Sequence, residues 1–218
     1  MQRDLLDALR CPGTHEESWL VAVVLHASGS TLLMADLACP VCGAKFRIRD
    51  GIAHFADLAS SSPRTPALPP EPFTSDAVLR LAALMGVTES PLPVALVGRY
   101  AAASEELASL VSAPQLLVNS GPMVSAPGAS RIVVADRLPL GVETLAAIAV
   151  DDAHASPALL ESAARALRLG GRLVAPDDVP IPAGMRELAR DDVEWVAETT
   201  TRASGLIELR RRAPESVR

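Results

Sequence analysis

Ser156-Pro157-Ala158-Leu159-Leu160-Glu161-Ser162-Ala163-Ala164-Arg165-Ala166-Leu167-Arg168-Leu169-Gly170-Gly171-Arg172-Leu173-Val174-Ala175 is the stretch whose reading decides the fold. Ser156 can cap a helix, and Pro157 suits its first turn. The spacing predicts a helix from Pro157 to Leu169, ended by Gly170-Gly171. Arg172 to Ala175 then reads as a short buried strand. A helix that runs at once into an apolar strand is half of a parallel βαβ unit.

The same rhythm extends upstream. Ser75 can cap a helix from Asp76 to Met85, with Val78, Leu79, Leu81 and Ala82 on its apolar face and Gly86 at its end. Val94 to Val97 is a strand. Ser104 can cap a helix from Glu105 to Val111. Gln115 to Val118, Arg131 to Ala135 and Leu145 to Val150 are further strands. Helices alternating with short apolar runs predict an α/β fold with a parallel, doubly wound sheet. Downstream, Val193 to Thr200 and Leu206 to Arg212 are strand-like and joined across Ala203-Ser204-Gly205. They predict a C-terminal antiparallel hairpin.

Ser60-Ser61-Ser62-Pro63, with Pro66, Pro69, Pro70 and Pro72, reads as a semi-stiff linker. The expected division is a small unit over 1–56, a linker over 57–75, the α/β domain over 76–212 and a tail over 213–218. A unit of about 55 residues rarely holds itself together without a metal, a disulfide or a partner. Its pattern is β-rich. A short helix spans Arg3 to Leu9, with Leu5, Leu6 and Leu9 on one face. Trp19 to Leu25, Thr31 to Ala38, Lys45 to Ile48 and Ile52 to Phe55 read as strands.

Cys39-Pro40-Val41-Cys42 supplies two thiols at the spacing of a zinc knuckle. Cys11 is the third cysteine of the chain, and His15 is the nearest fourth donor. Four protein ligands leave no position for water, so such a zinc would be structural. The alternative is three thiols packed as small apolar groups. An odd cysteine count with a CxxC fits metal or reduced thiols better than a disulfide framework.

The 218 residues are 49% hydrophobic and 21% charged, with a formal net charge of −6, which suits a globular chain with a sizeable core. The acidic balance excludes a broad nucleic-acid surface, and the 3% aromatic content offers few platforms for stacking bases. Arg210-Arg211-Arg212 reads as a solvated strand end. No stretch approaches the roughly 20 apolar residues of a membrane span. The opening Met1-Gln2-Arg3-Asp4 lacks the build of a signal peptide. The expectation is a cytoplasmic protein.

Two resemblances follow from these residues. Leu160 to Val174 is similar to the helix, Gly-Gly turn and fifth strand of class I S-adenosylmethionine-dependent methyltransferases. Asp136-Arg137-Leu138-Pro139-Leu140 resembles the acid and Leu-Pro after that family's third strand, and the acid implies an adenine contact. Asp151-Asp152-Ala153-His154 stands where the family keeps catalytic or substrate-facing residues. The resemblance implies a Rossmann-like methyltransferase fold, Gly98, Asn119 and Asp136 as cofactor-binding residues, and Asp151 and His154 as catalytic candidates. The chain departs from the family at Val97-Gly98-Arg99-Tyr100-Ala101-Ala102-Ala103, where one glycine replaces a Gly-rich loop and Arg99 and Tyr100 put bulk beside the methionine position. It departs again at Asn119, where the ribose-binding acid would stand. His154 also reads, and more readily, as a loop residue whose acidic neighbours begin the next helix. His26 and His54 read as structural.

The second resemblance covers nearly all of 1–56. Leu5-Leu6-Asp7-Ala8-Leu9-Arg10-Cys11-Pro12, Leu37-Ala38-Cys39-Pro40-Val41-Cys42-Gly43 and Phe46-Arg47-Ile48-Arg49-Asp50-Gly51-Ile52 resemble the zinc-ribbon activators of tRNA, rRNA and release-factor methyltransferases. Thr14 falls where that family has a further cysteine. In the family, a strand of the activator extends the methyltransferase sheet. The resemblance implies that 1–56 docks in cis on the larger domain. Together these readings point to a non-catalytic, methyltransferase-derived binding or assembly protein. The alternatives are an active small-molecule methyltransferase using S-adenosylmethionine and an activator acting in trans. Expected partners are another protein or a second copy, met through sheet edges.

Overall fold

The computed structural model describes residues 1–56, 73–121 and 127–201. The apolar runs form β1 (Val21–Ser28), β2 (Thr31–Ala38), β3 (Lys45–Arg49), β4 (Ile52–His54), β5 (Val94–Val97), β6 (Gln115–Val118), β7 (Ser130–Val133), β8 (Leu145–Ala149), β9 (Leu167–Pro176), β10 (Met185–Arg190) and β11 (Glu194–Thr199). The α-helices are α1 (Ser75–Met85), α2 (Ser104–Leu110) and α3 (Pro157–Ala166), with 3-10 turns at Arg3–Ala8 and Gly98–Ala103. All eleven strands among the described residues share one sheet, in the order β1-β2-β3-β4-β7-β6-β5-β8-β9-β11-β10.

The strands from β7 to β9 in that order are mutually parallel, and β11 and β10 close the sheet antiparallel. Numbered within the larger part, this order is 3-2-1-4-5-7-6. It is a mixed sheet with a parallel centre and an antiparallel end, as the alternation of helices and apolar runs implied. Alternation along each strand explains why both faces are covered. Ala95, Val97, Leu116, Val118, Ile148, Leu173 and Trp195 point into one core beneath α3. Val94, Leu96, Leu117, Ala147, Ala149 and Val174 point into the other, beneath α1 and α2.

The small N-terminal part belongs to the first of these cores. Leu5, Leu9, Leu32, Leu37, Ile48 and Ala53 pack there with Ile132, Leu138 and Leu140. Burying each large side chain contributes roughly 1.5–3 kcal/mol. The seam is a parallel pairing of Ile52, Ala53 and His54 with Arg131, Ile132 and Val133. Phe55 N–H donates to the Val133 carbonyl at 2.8 Å. A second line of contact joins Leu9 to Leu140, with Arg10 N–H on the Pro139 carbonyl at 2.9 Å and Gly141 N–H on that of Ala8 at 2.8 Å.

Several local expectations are corrected. Thr74, not Ser75, caps α1: its hydroxyl accepts from Ala77 N–H. Ser104 has helical backbone angles, and its hydroxyl donates to Gln115, so it caps nothing. α3 ends at Ala166, and Gly170-Gly171 does not terminate it. Those glycines form a bulge inside β9, because Leu167 already pairs with Leu145 before the register shifts to Ala147 and Arg172. Gly170 takes the positive φ of 73° that the bulge needs. The opening helix is a 3-10 turn. The partner of β11 is β10, which precedes it. The expected partner, Leu206 to Arg212, lies outside the described residues. No described helix is long and apolar enough to cross a membrane.

Candidate metal centre and cofactor crevice

The metal ligand candidates converge from two turns. β2 runs into a tight knuckle at Cys39, where Cys39 N–H donates to the Ala44 carbonyl at 2.9 Å and Gly43 N–H to that of Cys39 at 3.0 Å. Gly43 makes this possible with φ 71°. Cys11 follows the Leu9–Leu140 bridge, and its N–H is held by the Ser18 carbonyl at 3.0 Å. The donor atoms of Cys11, His15, Cys39 and Cys42 all lie within 4.8 Å of one another. Cys11 and Cys42 sulfurs are 3.7 Å apart, and Cys39 sulfur is 3.4 Å from His15 Nε2. Tetrahedral zinc, with Zn–S of about 2.3 Å and Zn–N of about 2.0 Å, demands edges of roughly 3.8 and 3.5 Å.

Two further features fit zinc. His15 Nδ1 lies 2.6 Å from the Glu16 carbonyl, which fixes the proton there and leaves Nε2 as the ligand. Burial resists ionisation of Cys39, but the N–H groups of Cys42 and Val41 offset it and hold the thiol down at about 6. Burial pushes Cys11 up to about 11, which a bound cation would reverse. The quartet fits a closed, structural Cys3His site. Thr14, where the resemblance would place a cysteine, is exposed, and His15 supplies the donor instead.

The second site lies at the switch point between β5 and β8, where open α/β sheets take ligands. Gly98 follows β5 with φ 61°, and Asp151 follows β8. A Cβ on Gly98 would sit 2.0 Å from Asp151 Oδ2. The Asp151 side chain therefore fills the space directly above the glycine. Its Oδ2 accepts from Arg99 N–H at 2.8 Å, and its Oδ1 lies 2.6 Å from His154 Nδ1. Asp151 is 4% exposed. The carboxylate orients the imidazole, leaving Nε2 as its free nitrogen.

The bulk expected from Tyr100 is elsewhere. Its ring is buried with Val78 and Leu107, near Phe73 at 5.7 Å, on the α1/α2 side of the sheet. Its hydroxyl donates to Glu194 at 2.9 Å. Burial, followed by the Glu194 carboxylate, pushes it up to about 12. Glu194 also binds Arg80, which reaches Asp191. This network escaped the sequence reading, because nothing local links residues 94 to 114 positions apart. Arg99 is exposed.

Asn119 takes a left-handed φ of 52° at the end of β6, and its Oδ1 accepts from Val134 N–H at 2.8 Å. It braces the ends of β6 and β7. Asp136 is exposed and lines a cleft of roughly 250 Å³ shared with Cys11, Cys42, Phe46 and Phe55. A second cleft of roughly 280 Å³ lies between His15 and α3, and a third of roughly 430 Å³ between α3 and 180–185. Gly98, Asn119 and Asp151 line none of these three. The structure thus unites the four metal donors, and separately Gly98, Asp151 and His154. It leaves Asn119 and Asp136 with other neighbours. His26 lies exposed on β1 and His54 half-buried on β4.

No protein-family model matches the chain, and no curated protein sequence matches it. Among solved structures, it is similar to a chain of the complex between the Haloferax volcanii Trm112 methyltransferase activator and its candidate methyltransferase. That match has 15% identity over 57% of this chain and 90% of that one, with a TM-score of 0.46. An S-adenosyl-L-methionine methyl transferase from Silicibacter pomeroyi matches with 18% identity over 56% and 88%, at 0.40. Geranyl diphosphate C-methyltransferase from Streptomyces coelicolor matches with 14% identity over 46% and 42%, at 0.38. This chain thus spans under half of the last. The strand order, not these similarities, sets the fold.

Proposed function

We propose that the chain is a non-catalytic, methyltransferase-derived binding and assembly protein whose residues 1–56 act as an activator-like module docked in cis. The observation that carries this reading is the Asp151 carboxylate above Gly98. It fills the space over the glycine at the β5/β8 switch point and is held there by Arg99 N–H and His154. Asn119 supports the same reading, since its carbonyl oxygen is committed to Val134. Cis docking is supported by the β4–β7 pairing, which occupies the strand edge that an activator acting in trans would offer to another sheet. Zinc would hold the turns at Cys11 and Cys39 together and so fix the module against 135–138.

Isothermal calorimetry with S-adenosylmethionine and S-adenosylhomocysteine tests the proposal. Absence of heat up to about 1 mM ligand is expected, and a micromolar Kd overturns it. The buried Asp151–His154 pair favours a second reading, an S-adenosylmethionine-dependent methyltransferase of small molecules, with His154 as general base. That reading requires Asp136→Ala to weaken a cofactor affinity that the wild type must first possess.

A further inference from the structure

We propose that β1 is a dimerisation edge, along which two copies of this chain pair antiparallel about a two-fold axis. The proposal rests on the assembly part of the proposed function, and not on whether the crevice binds a cofactor. Among the described residues, β1 and β10 are the two outer strands of the sheet. An outer strand presents unpaired N–H and C=O groups, and folded proteins usually blunt it with charge or proline. β10 is blunted: Arg186, Glu187 and Arg190 line it, and all three are ion-paired. β1 is the eight-residue run Val-Ala-Val-Val-Leu-His-Ala-Ser, with no proline, aspartate, glutamate, lysine or arginine.

The flanking surface is apolar where a half-solvated sheet is normally polar. Val21 and Val23, each 57% exposed, stand opposite Ala38 and Asp36. Trp19, Leu25 and Met34 are exposed beside them, at 64%, 58% and 47%. Val24, 43% exposed, adds an apolar side chain on the other face, opposite Ala35. A bulge after Val24 bends the strand, so its straight half, Val21 to Val24, carries the pairing.

A second copy is the occupant that fits. An isologous pair sets no like charges opposite each other, because β1 carries none. It also consumes both unprotected edges at once. The composite sheet then ends at a charged β10 on either side, which stops further growth.

Sedimentation velocity of the full chain, from about 1 to about 100 µM, tests this. The expected result is a species of twice the 22.8 kDa chain mass. Val23→Lys and, independently, Val21→Lys should each weaken the dimer at least about tenfold by placing like charges across the axis. Circular dichroism should be unchanged, since both positions are exposed. Leu188→Lys on β10 should leave the dimer intact. A monomeric wild type at about 100 µM, an open-ended series of larger species, or a dimer indifferent to both β1 lysines overturns the proposal. Calorimetry reads the crevice separately, so the two proposals fail by different measurements.

Discussion

Replacing Gly98 with alanine probes the contact on which the functional reading depends. The backbone there has φ 61°, a conformation that costs an L-residue about 1–2 kcal/mol. The new methyl would stand 2.0 Å from Asp151 Oδ2 and 2.5 Å from Cγ, so the carboxylate must leave. It then abandons Arg99 N–H and His154, at a further cost of about 1.5–3 kcal/mol for hydrogen bonds to a charged group. Gly98→Ala should therefore lose about 3–4 kcal/mol. Asp151→Ala forfeits the same hydrogen bonds alone, about 2–3 kcal/mol. Once Asp151 is gone, the alanine at 98 has only its backbone cost to add. The double variant should lose about 4 kcal/mol rather than the roughly 6 of independent sites, a coupling near 2 kcal/mol. Urea unfolding of the wild type and three variants measures this directly. Additivity within about 0.5 kcal/mol would refute the placement of Asp151 over Gly98.

Three other outcomes are expected. Thr74→Ala should destabilise the chain by about 1 kcal/mol through loss of the α1 cap, while Ser75→Ala stays within about 0.5; equal effects in urea unfolding would contradict the cap. Protein purified without chelator should carry one zinc per chain by plasma mass spectrometry, and Cys39→Ser or removal of the metal should lower Tm; a metal-free wild type prepared with zinc present would sink the Cys3His site. The Asp191 carboxyl is held down at about 2 by the N–H groups of Glu194 and Val193, and then by Arg80. A depressed carboxylate stabilises the fold above its ordinary range, and that contribution is lost as pH falls from about 4 towards 2. Asp191→Asn should flatten the acid limb of Tm against pH over that window, and an unchanged limb would count against the pairing.

Much of the architecture was legible locally. β2, β5 and β6 lie where short apolar runs placed them, and Gly86 ends α1 with φ 62° as its position suggested. The metal quartet was also legible, since beside the CxxC only Cys11 and the neighbouring His15 stood as candidate donors. The hairpin was not. Met185-Arg186-Glu187-Leu188-Ala189-Arg190 is composed largely of helix formers, and only pairing with β11 makes it a strand. Gly170-Gly171 misled for a related reason. Two glycines serve a helix stop and a strand bulge equally well, and the Leu145–Leu167 pairing chose the bulge. Asn119 and Asp136 were cofactor-binding candidates through the resemblance; a local pattern fixes where their strands end but not which way a side chain turns, and Asn119 Oδ1 turns to Val134 N–H.

The sequence by itself determined the alternation of apolar strands and helices, the donor set at Cys11, His15, Cys39 and Cys42, and the single glycine after β5. Those depend on neighbours within a few positions, where periodicity and spacing act. Tertiary structure decided what each element met: β4 against β7, Tyr100 against Glu194, and Asp151 above Gly98. Arg99 and Asp151 are 52 residues apart, and His54 and Val133 still further. Contacts at that range are set by the global packing of the sheet, because no local pattern specifies which of several compatible partners a strand end will face.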